Sequence, residues 1–166
     1  MKGSKGEKGR SSLMNAGRRV DYAIRALSYL AAQPADRMVG KAELEKRQDI
    51  PPHYLSKIMK ALVMSGLVHS HAGPNGGFRL ARDPKEISIE EVYESLEGPL
   101  ILMQSVAKGE EYCQFYSVCT QISIWERAQR LLSNYLASVS IADIADQQGL
   151  RERLMSFRGQ PGFSQS

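Results

Sequence analysis

Two groups of side chains have the types and spacing to do chemistry. The first is Cys113 and Cys119, the two thiols of the chain. Five intervening residues would place them about 600° apart around a helix, on different faces. In a loop they can converge on a metal ion or on each other. The plain alternative is two unrelated buried thiols. The second group is His53, Ser56, Lys57 and Lys60, which fall at i, i+3, i+4 and i+7 and so share one helical face. Tyr54 lies beside them. Lys41, Asn75, Gly76 and Arg79 flank them in sequence. Cations, hydroxyls and an imidazole with no paired base are suited to gripping phosphates and base edges. Catalysis has little to use. There is no Walker loop, no G-x-S-x-G elbow and no pair of histidines at i, i+4.

The elements that must position these groups can be read from periodicity. Leu55, Ile58, Met59 and Leu62 form the apolar stripe of a helix whose opposite face carries the polar set. Pro51-Pro52 suits its entry and Gly66 its exit. Two extended stretches follow, 67–70 and 77–80, joined by a tip holding Gly73, Pro74, Asn75 and Gly76. A short helix over 41–48, with Lys41 at its start, and a turn plugged by Ile50 precede the reading helix. This is the plan of a winged helix-turn-helix, which reads duplex DNA with a helix and a hairpin.

Around this head the chain is organised simply. Residues 1–13 read as a disordered basic arm. Val20, Ala23, Ile24, Leu27 and Leu30 make an amphipathic first helix, on which Asp21 and Arg25 can pair with each other. Ser88 to Glu91 is a capping box that opens a helix ending at Gly98-Pro99. Residues 100–118 read as a long loop holding both cysteines. A long helix over 121–138 follows, in which Trp125, Ala128, Leu132, Tyr135 and Val139 step by 3, 4, 3 and 4. That seam predicts a homodimer, because operators are read by twofold-symmetric proteins. A short helix capped by Ser140 and Asp143 runs to about Gly149, and 151–166 is a loose tail. The division is therefore 1–13 arm, 14–97 DNA-binding domain, 98–150 sensor loop and dimerisation helix, and 151–166 tail. The fold class is mainly α with a small β-wing.

Charge is segregated along the chain. From Arg37 to Arg82 there are eight Lys and Arg against three Asp and Glu, with all three histidines. From Asp83 to Glu111 there are two against eight. The basic block coincides with the reading head, as a polyanion partner requires. No stretch approaches a membrane span, and no apolar segment follows the charged start, so a cytoplasmic protein with reduced thiols is expected.

Five segments in order also resemble one family. They are 20–27 (VDYAIRAL), Ile50-Pro51 through Ile58, Gly66 through Ser70, 73–82 (GPNGGFRLAR) and Glu97-Gly98. Together they resemble the Rrf-type bacterial regulators, which include the iron–sulfur cluster regulator and the nitric-oxide-sensitive repressor. The resemblance implies a dimeric winged-helix regulator, a repressor, whose sensor loop holds an iron–sulfur cluster. Cluster-binding members carry three cysteines, the last standing six residues before a tryptophan. Cys119 stands six before Trp125 and matches the third; Cys113 matches the second. The first falls near Ala107, which has no ligating atom, and Ile122 stands where the cluster regulator has histidine. Asp21 matches an aspartate that a partner subunit donates in the nitric-oxide-sensitive repressor. The implied ligands are thus Cys113, Cys119 and Asp21 of the partner subunit, with Glu110 or Glu111 as a fourth. Ala72 and Ser56 depart from family members in the reading head, so an operator sequence does not transfer. The alternative is a metal-free dimer of the same fold that responds to thiol oxidation, a small ligand or a partner protein.

Overall fold

The computed structural model describes residues 17–146. The arm over 1–13, the tail over 151–166 and the expected end of the last helix near Gly149 lie outside the described residues. Helix α1 (Arg18–Ala31) is the centre of the packing, and buries Val20, Ala23, Ala26, Leu27 and Leu30 along one face. Ala23 and Ala26 are wholly buried, and their small side chains let neighbouring helices approach closely. Helices α2 (Lys41–Gln48), α3 (Pro52–Met64), α4 (Ile89–Glu97) and α7 (Ile141–Ala145) all pack on it.

Local chemistry accounts for the joints. Asp49 takes a left-handed conformation, φ 51°, at the α2–α3 turn, and the N–H of Ile50 donates to the carbonyl of Glu45. Ile50 is buried as the plug of that turn. Helix α3 ends in a paired cap: the N–H of Leu67 donates to Leu62 and that of Gly66 to Val63, with Gly66 at φ 73°. This geometry satisfies carbonyls that the helix leaves open, and places Leu67 against the core.

The wing is an antiparallel pair, β1 (Val68–His71) and β2 (Gly77–Leu80), in which His69 faces Arg79 and Ser70 faces Phe78. Val39, in the α1–α2 connection, exchanges two 2.9 Å backbone hydrogen bonds with Phe78 and forms a one-residue third strand. Gly77 must be glycine there: at φ 156° any Cβ would overlap the carbonyl of Val39.

The predicted capping boxes at Ser88/Glu91 and Ser140/Asp143 are both formed. The expected loop over 100–118 is more ordered than its aperiodic sequence suggested. It contains α5 (Gln104–Lys108) and two 3-10 turns, Gly109–Glu111 and Tyr116–Val118, elements too short to carry a full apolar repeat. Helix α6 (Ile122–Ser138) then runs against α4 and α5. At its end the chain returns to the head. The N–H of Ile89 donates to Val139 and that of Ile141 to Ile87, and Ile141 is wholly buried in the core. No helix among the described residues is long and apolar enough to cross a membrane.

Candidate nucleic-acid interface and cysteine loop

Helix α3 divides cleanly. Leu55, Ile58, Met59 and Leu62 are buried, while His53, Ser56, Lys57 and Lys60 are exposed on the other side. Ser56 Oγ donates to the carbonyl of Pro52 at 3.0 Å, and the exposed hydroxyl can still accept a hydrogen bond. Tyr54 is half-buried and braces the helix: its ring lies 5.5 Å from that of Tyr22 and 4.4 Å from that of His53. The phenol thus belongs as much to the α1–α3 joint as to the reading face.

Three of the predicted contact residues meet at one place. Lys41, Ser56 and Lys60 border a shallow recess of about 380 Å³ between α2, α3 and the wing, where Ser70 and Phe78 close the far side. Lys41 reaches Glu45 across one helical turn at 3.6 Å. Arg79 is not in this group. It is exposed on the opposite face of β2, beside His69, and borders a second recess of about 350 Å³ shared with Arg37 and Arg82. Period-two alternation separates it from Phe78 and hence from the reading helix. Asn75 is exposed at the wing tip. Gly76 has a backbone role, since a Cβ there would overlap the carbonyl of His71.

Ion pairs sort the basic block into scaffold and surface. Arg37 Nη2 donates to both carboxylate oxygens of Glu43 at 2.9 Å, and Tyr29 OH donates to Glu43 at 2.7 Å. The Tyr29 phenol and then the Arg37 guanidinium hold the Glu43 carboxyl below its ordinary range. The hydrogen bond to Glu43 pushes Arg37 upward in turn. Arg82 is paired with Glu91 at 2.9 Å. Lys57, Lys60 and Arg79 have no acidic partner within 4.0 Å among the described residues. Together with Lys46 and Arg47 of α2, which also stand in none of these pairs, they are cations available to a polyanion.

The cysteine loop is held onto α6 by two side chains that give no sign in the sequence. Gln129 accepts from the N–H of Leu102 and donates to the carbonyl of Leu100, each at 2.7 Å. Tyr116 OH donates to Glu126 at 2.5 Å, and that bond pushes the phenol above its ordinary value. Between these clamps lie Cys113 and Cys119, both half-exposed and unbridged. Tyr116 joins them: its N–H donates to the carbonyl of Cys113, and its carbonyl accepts from the N–H of Cys119. Asp21 is elsewhere, paired with Arg25 at 2.8 Å on α1. Within one chain, no three His, Cys, Asp or Glu among the described residues stand together as metal ligands do.

The predicted seam on α6 is split. Leu132, with Leu136, packs against the chain's own core, while Ala128, Tyr135 and Val139 are half-buried. Trp125 is 37% exposed, Ile124 65% and Leu131 58%. The apolar stripe left open on α6 is therefore centred on Ile124 and Leu131, seven residues apart on one face and about a quarter-turn from Leu132. Periodicity alone cannot tell which of two adjacent stripes turns inward.

Comparison with known proteins agrees with this architecture. A family model described as Rrf2, an iron-dependent transcriptional regulator, matches residues 16–147. A Mycobacterium tuberculosis (strain H37Rv) protein named as a candidate HTH-type transcriptional regulator is 31% identical over 133 residues, covering 80% of this chain and 81% of its own. The HTH-type transcriptional regulator IscR of Yersinia pseudotuberculosis is 28% identical over 131 residues, covering 79% of each. Among solved structures, T. potens IscR superposes with a TM-score of 0.58 at 26% identity, over 87% of this chain and 92% of that one. CymR, the global cysteine regulator of B. subtilis, shares the fold, with a TM-score of 0.64 at 23% identity over 80% of this chain and 96% of that one.

Proposed function

We propose, from the premise that this chain belongs to the Rrf2 family of DNA-binding transcriptional regulators, that it is a homodimeric repressor whose affinity for its operator is set at the Cys113–Cys119 loop. One observation carries the DNA-reading part. Helix α3 presents His53, Ser56, Lys57 and Lys60 to solvent, and Lys41 and the wing border the same surface. A helix so armed enters the major groove while the cations beside it neutralise phosphates. Arg79, on the far face of the wing, and Asn75, at its tip, then meet the backbone at a separate point along the duplex.

Each phosphate contact contributes a slope of about −0.9 to log K against log salt. Lys60→Ala is expected to weaken binding to all duplexes alike and to flatten that slope by about one contact. Ser56→Ala should act mainly on the specific site. Fluorescence anisotropy at several salt concentrations measures both, and a salt-insensitive complex would rule out the reading face.

Dimerisation is supported by the open stripe on α6 and by the twofold symmetry that operators demand. Control at the loop is supported by its build: two half-exposed thiols, joined through the backbone of Tyr116, lie in a segment clamped to the helix that carries the stripe. A change at the thiols therefore acts on the relative placement of two reading heads, and half-site spacing is a rigid requirement.

The donor set within one chain does not fit an iron–sulfur cluster. Among the described residues the two thiols stand without a third ligand, and Asp21 is engaged by Arg25. A cluster would need the partner subunit's Asp21 to leave Arg25 for the loop. Thiol oxidation needs no further protein ligand, only an external two-electron oxidant such as a peroxide or a disulfide to take up the electrons released by the two thiols. Anaerobic purification with iron and sulfide analysis, followed by Cys113→Ala and Cys119→Ala, separates the two forms of control. Loss of visible absorption in both variants supports a cluster. Iron-free protein whose operator affinity falls on oxidation, and does so only with both thiols present, supports the thiol switch. Unchanged affinity under every redox condition removes the loop from the proposal.

A further inference from the structure

The stripe that reads outward on α3 does not stay polar. His53, Lys57, Lys60 and Met64 step by 4, 3 and 4 along the same face, and Met64 is 78% exposed. It is the one large apolar side chain so exposed outside 112–131 among the described residues. Met64 also lies in the recess between α2, α3 and the wing. There Val63, Met64 and Phe78 line it with apolar surface, and Lys41 and Lys60 line the same recess. Phe78 is fixed by its backbone pairing to Val39 and Ser70, so one wall is rigid. Met64 is unbranched and adaptable, so the other can follow what enters.

An apolar lining shared with two lysines is a specific combination. The cations favour a polyanion, yet phosphates and sugar hydroxyls gain nothing from methionine and phenylalanine. The apolar group that duplex DNA presents in its major groove is the C5-methyl of thymine. We propose that Met64, backed by Val63 and Phe78, receives a thymine methyl of the operator while Lys41 and Lys60 hold the adjacent phosphates. Met64 is then a specificity-determining residue of the reading helix. This inference rests on the DNA-reading function proposed above and adds to it the kind of base read at the C-terminal end of α3.

The test begins with selection of duplexes from a random pool by the full-length protein. Each thymine of the selected site is then replaced singly by deoxyuridine, which removes the methyl and keeps every hydrogen-bonding group. For the wild type, one position in each half-site should lose about four-fold in affinity, the effect of one buried methyl-sized group. Met64→Ala and Met64→Gln should bind thymine and uracil duplexes equally at that position. Met64 is exposed, and circular dichroism of both variants checks that the fold is kept. If no thymine is sensitive to loss of its methyl, the inference is overturned and the DNA-reading function stands. A sensitive thymine whose preference survives in both variants overturns the assignment to Met64. Failure to select any sequence overturns the inference together with the function on which it rests.

Discussion

The reading head and the cysteine arm are built to different standards of completeness. In the head, α1, α3 and α4 each bury a full apolar face, and Leu27, Leu44, Leu55, Ile58 and Leu62 are wholly inaccessible. In the arm, neither α5 nor the 17-residue α6 has a single buried residue. Tyr112, Phe115, Val118, Ile124, Trp125 and Leu131 are all exposed there, against Met64 alone in the head. A single chain can bury about 0.8 kcal/mol per methylene by covering such groups, and this one leaves them open. The head is a finished object within one chain. The arm is finished by something else, and the proposed partner is a second copy.

The largest expected effect tests the head. Leu62→Ala removes a wholly buried side chain while keeping the backbone carbonyl that caps α3, and should cost about 2–5 kcal/mol. Urea denaturation measures this, and a loss below 1 kcal/mol would show the head to be looser than its packing. The matching substitution in the arm, Leu131→Ala, should leave monomer stability within about 0.5 kcal/mol.

Charging the open stripe comes next. Leu131→Asp is expected to raise the dimer dissociation constant by about a hundredfold, roughly 2.7 kcal/mol, through lost apolar burial on both subunits. Sedimentation velocity should find folded monomers. Leu132→Asp, aimed at the chain's own core, should instead destabilise each monomer. If Leu132→Asp gave a folded monomer and Leu131→Asp remained a dimer, the assignment of the two stripes would be reversed.

A smaller effect is expected where the arm is clamped. Gln129→Ala leaves the N–H of Leu102 and the carbonyl of Leu100 without their partners, a cost of about 1–3 kcal/mol if water does not replace them. Hydrogen exchange should then quicken at Leu102 and through α5 while α3 keeps its protection. Equal loosening of both would merge the two regions into one cooperative unit.

The smallest effect is pH-dependent and lies in the head. The folded Glu43 carboxyl sits below its ordinary value of 4.5, by its bonds to Tyr29 and Arg37. Its contribution is therefore complete above the unfolded value and disappears as pH falls through the folded one. Glu43→Gln should flatten the stability profile below about pH 4.5 and change it little at pH 7 beyond the loss of the Arg37 pair. Both partners are solvent-screened, so the change should be small beside that of Leu62→Ala.

The same contrast governs what the sequence discloses. The head is legible because its determinants are local: the helical period of Leu55 to Leu62, the Gly66 exit and the Ser88–Glu91 box each declare themselves within a few residues. The placement of Arg79 across the wing from the reading recess follows from alternation but depends on which face of β2 meets α2 and α3, a long-range fact. In the arm, Gln129 reaches backbone groups 27 and 29 residues away, and no periodicity reports such a bond. Leu131 and Leu132 are adjacent leucines on a helix with two usable stripes, and only the neighbouring α4 decides between them. The cysteine motif is visible as two thiols at a set spacing from Trp125, but how they lie relative to α6 depends on the long-range bonds of Gln129 and Tyr116.

The return of α7 onto α1 has a consequence for how the protein is made. Ile141 completes the apolar core that begins at Val20, so the first described helix waits, during synthesis, for nearly the last described one. At about 5–20 residues per second, some 120 residues of synthesis separate them by roughly 6–24 s. During that interval α1 has part of its apolar face uncovered and the reading helix rests on an incomplete base. The nascent head cannot reach its final stability until the arm has been translated in full. Order of synthesis thus delays a fully formed DNA-reading surface until the segment proposed to control it already exists.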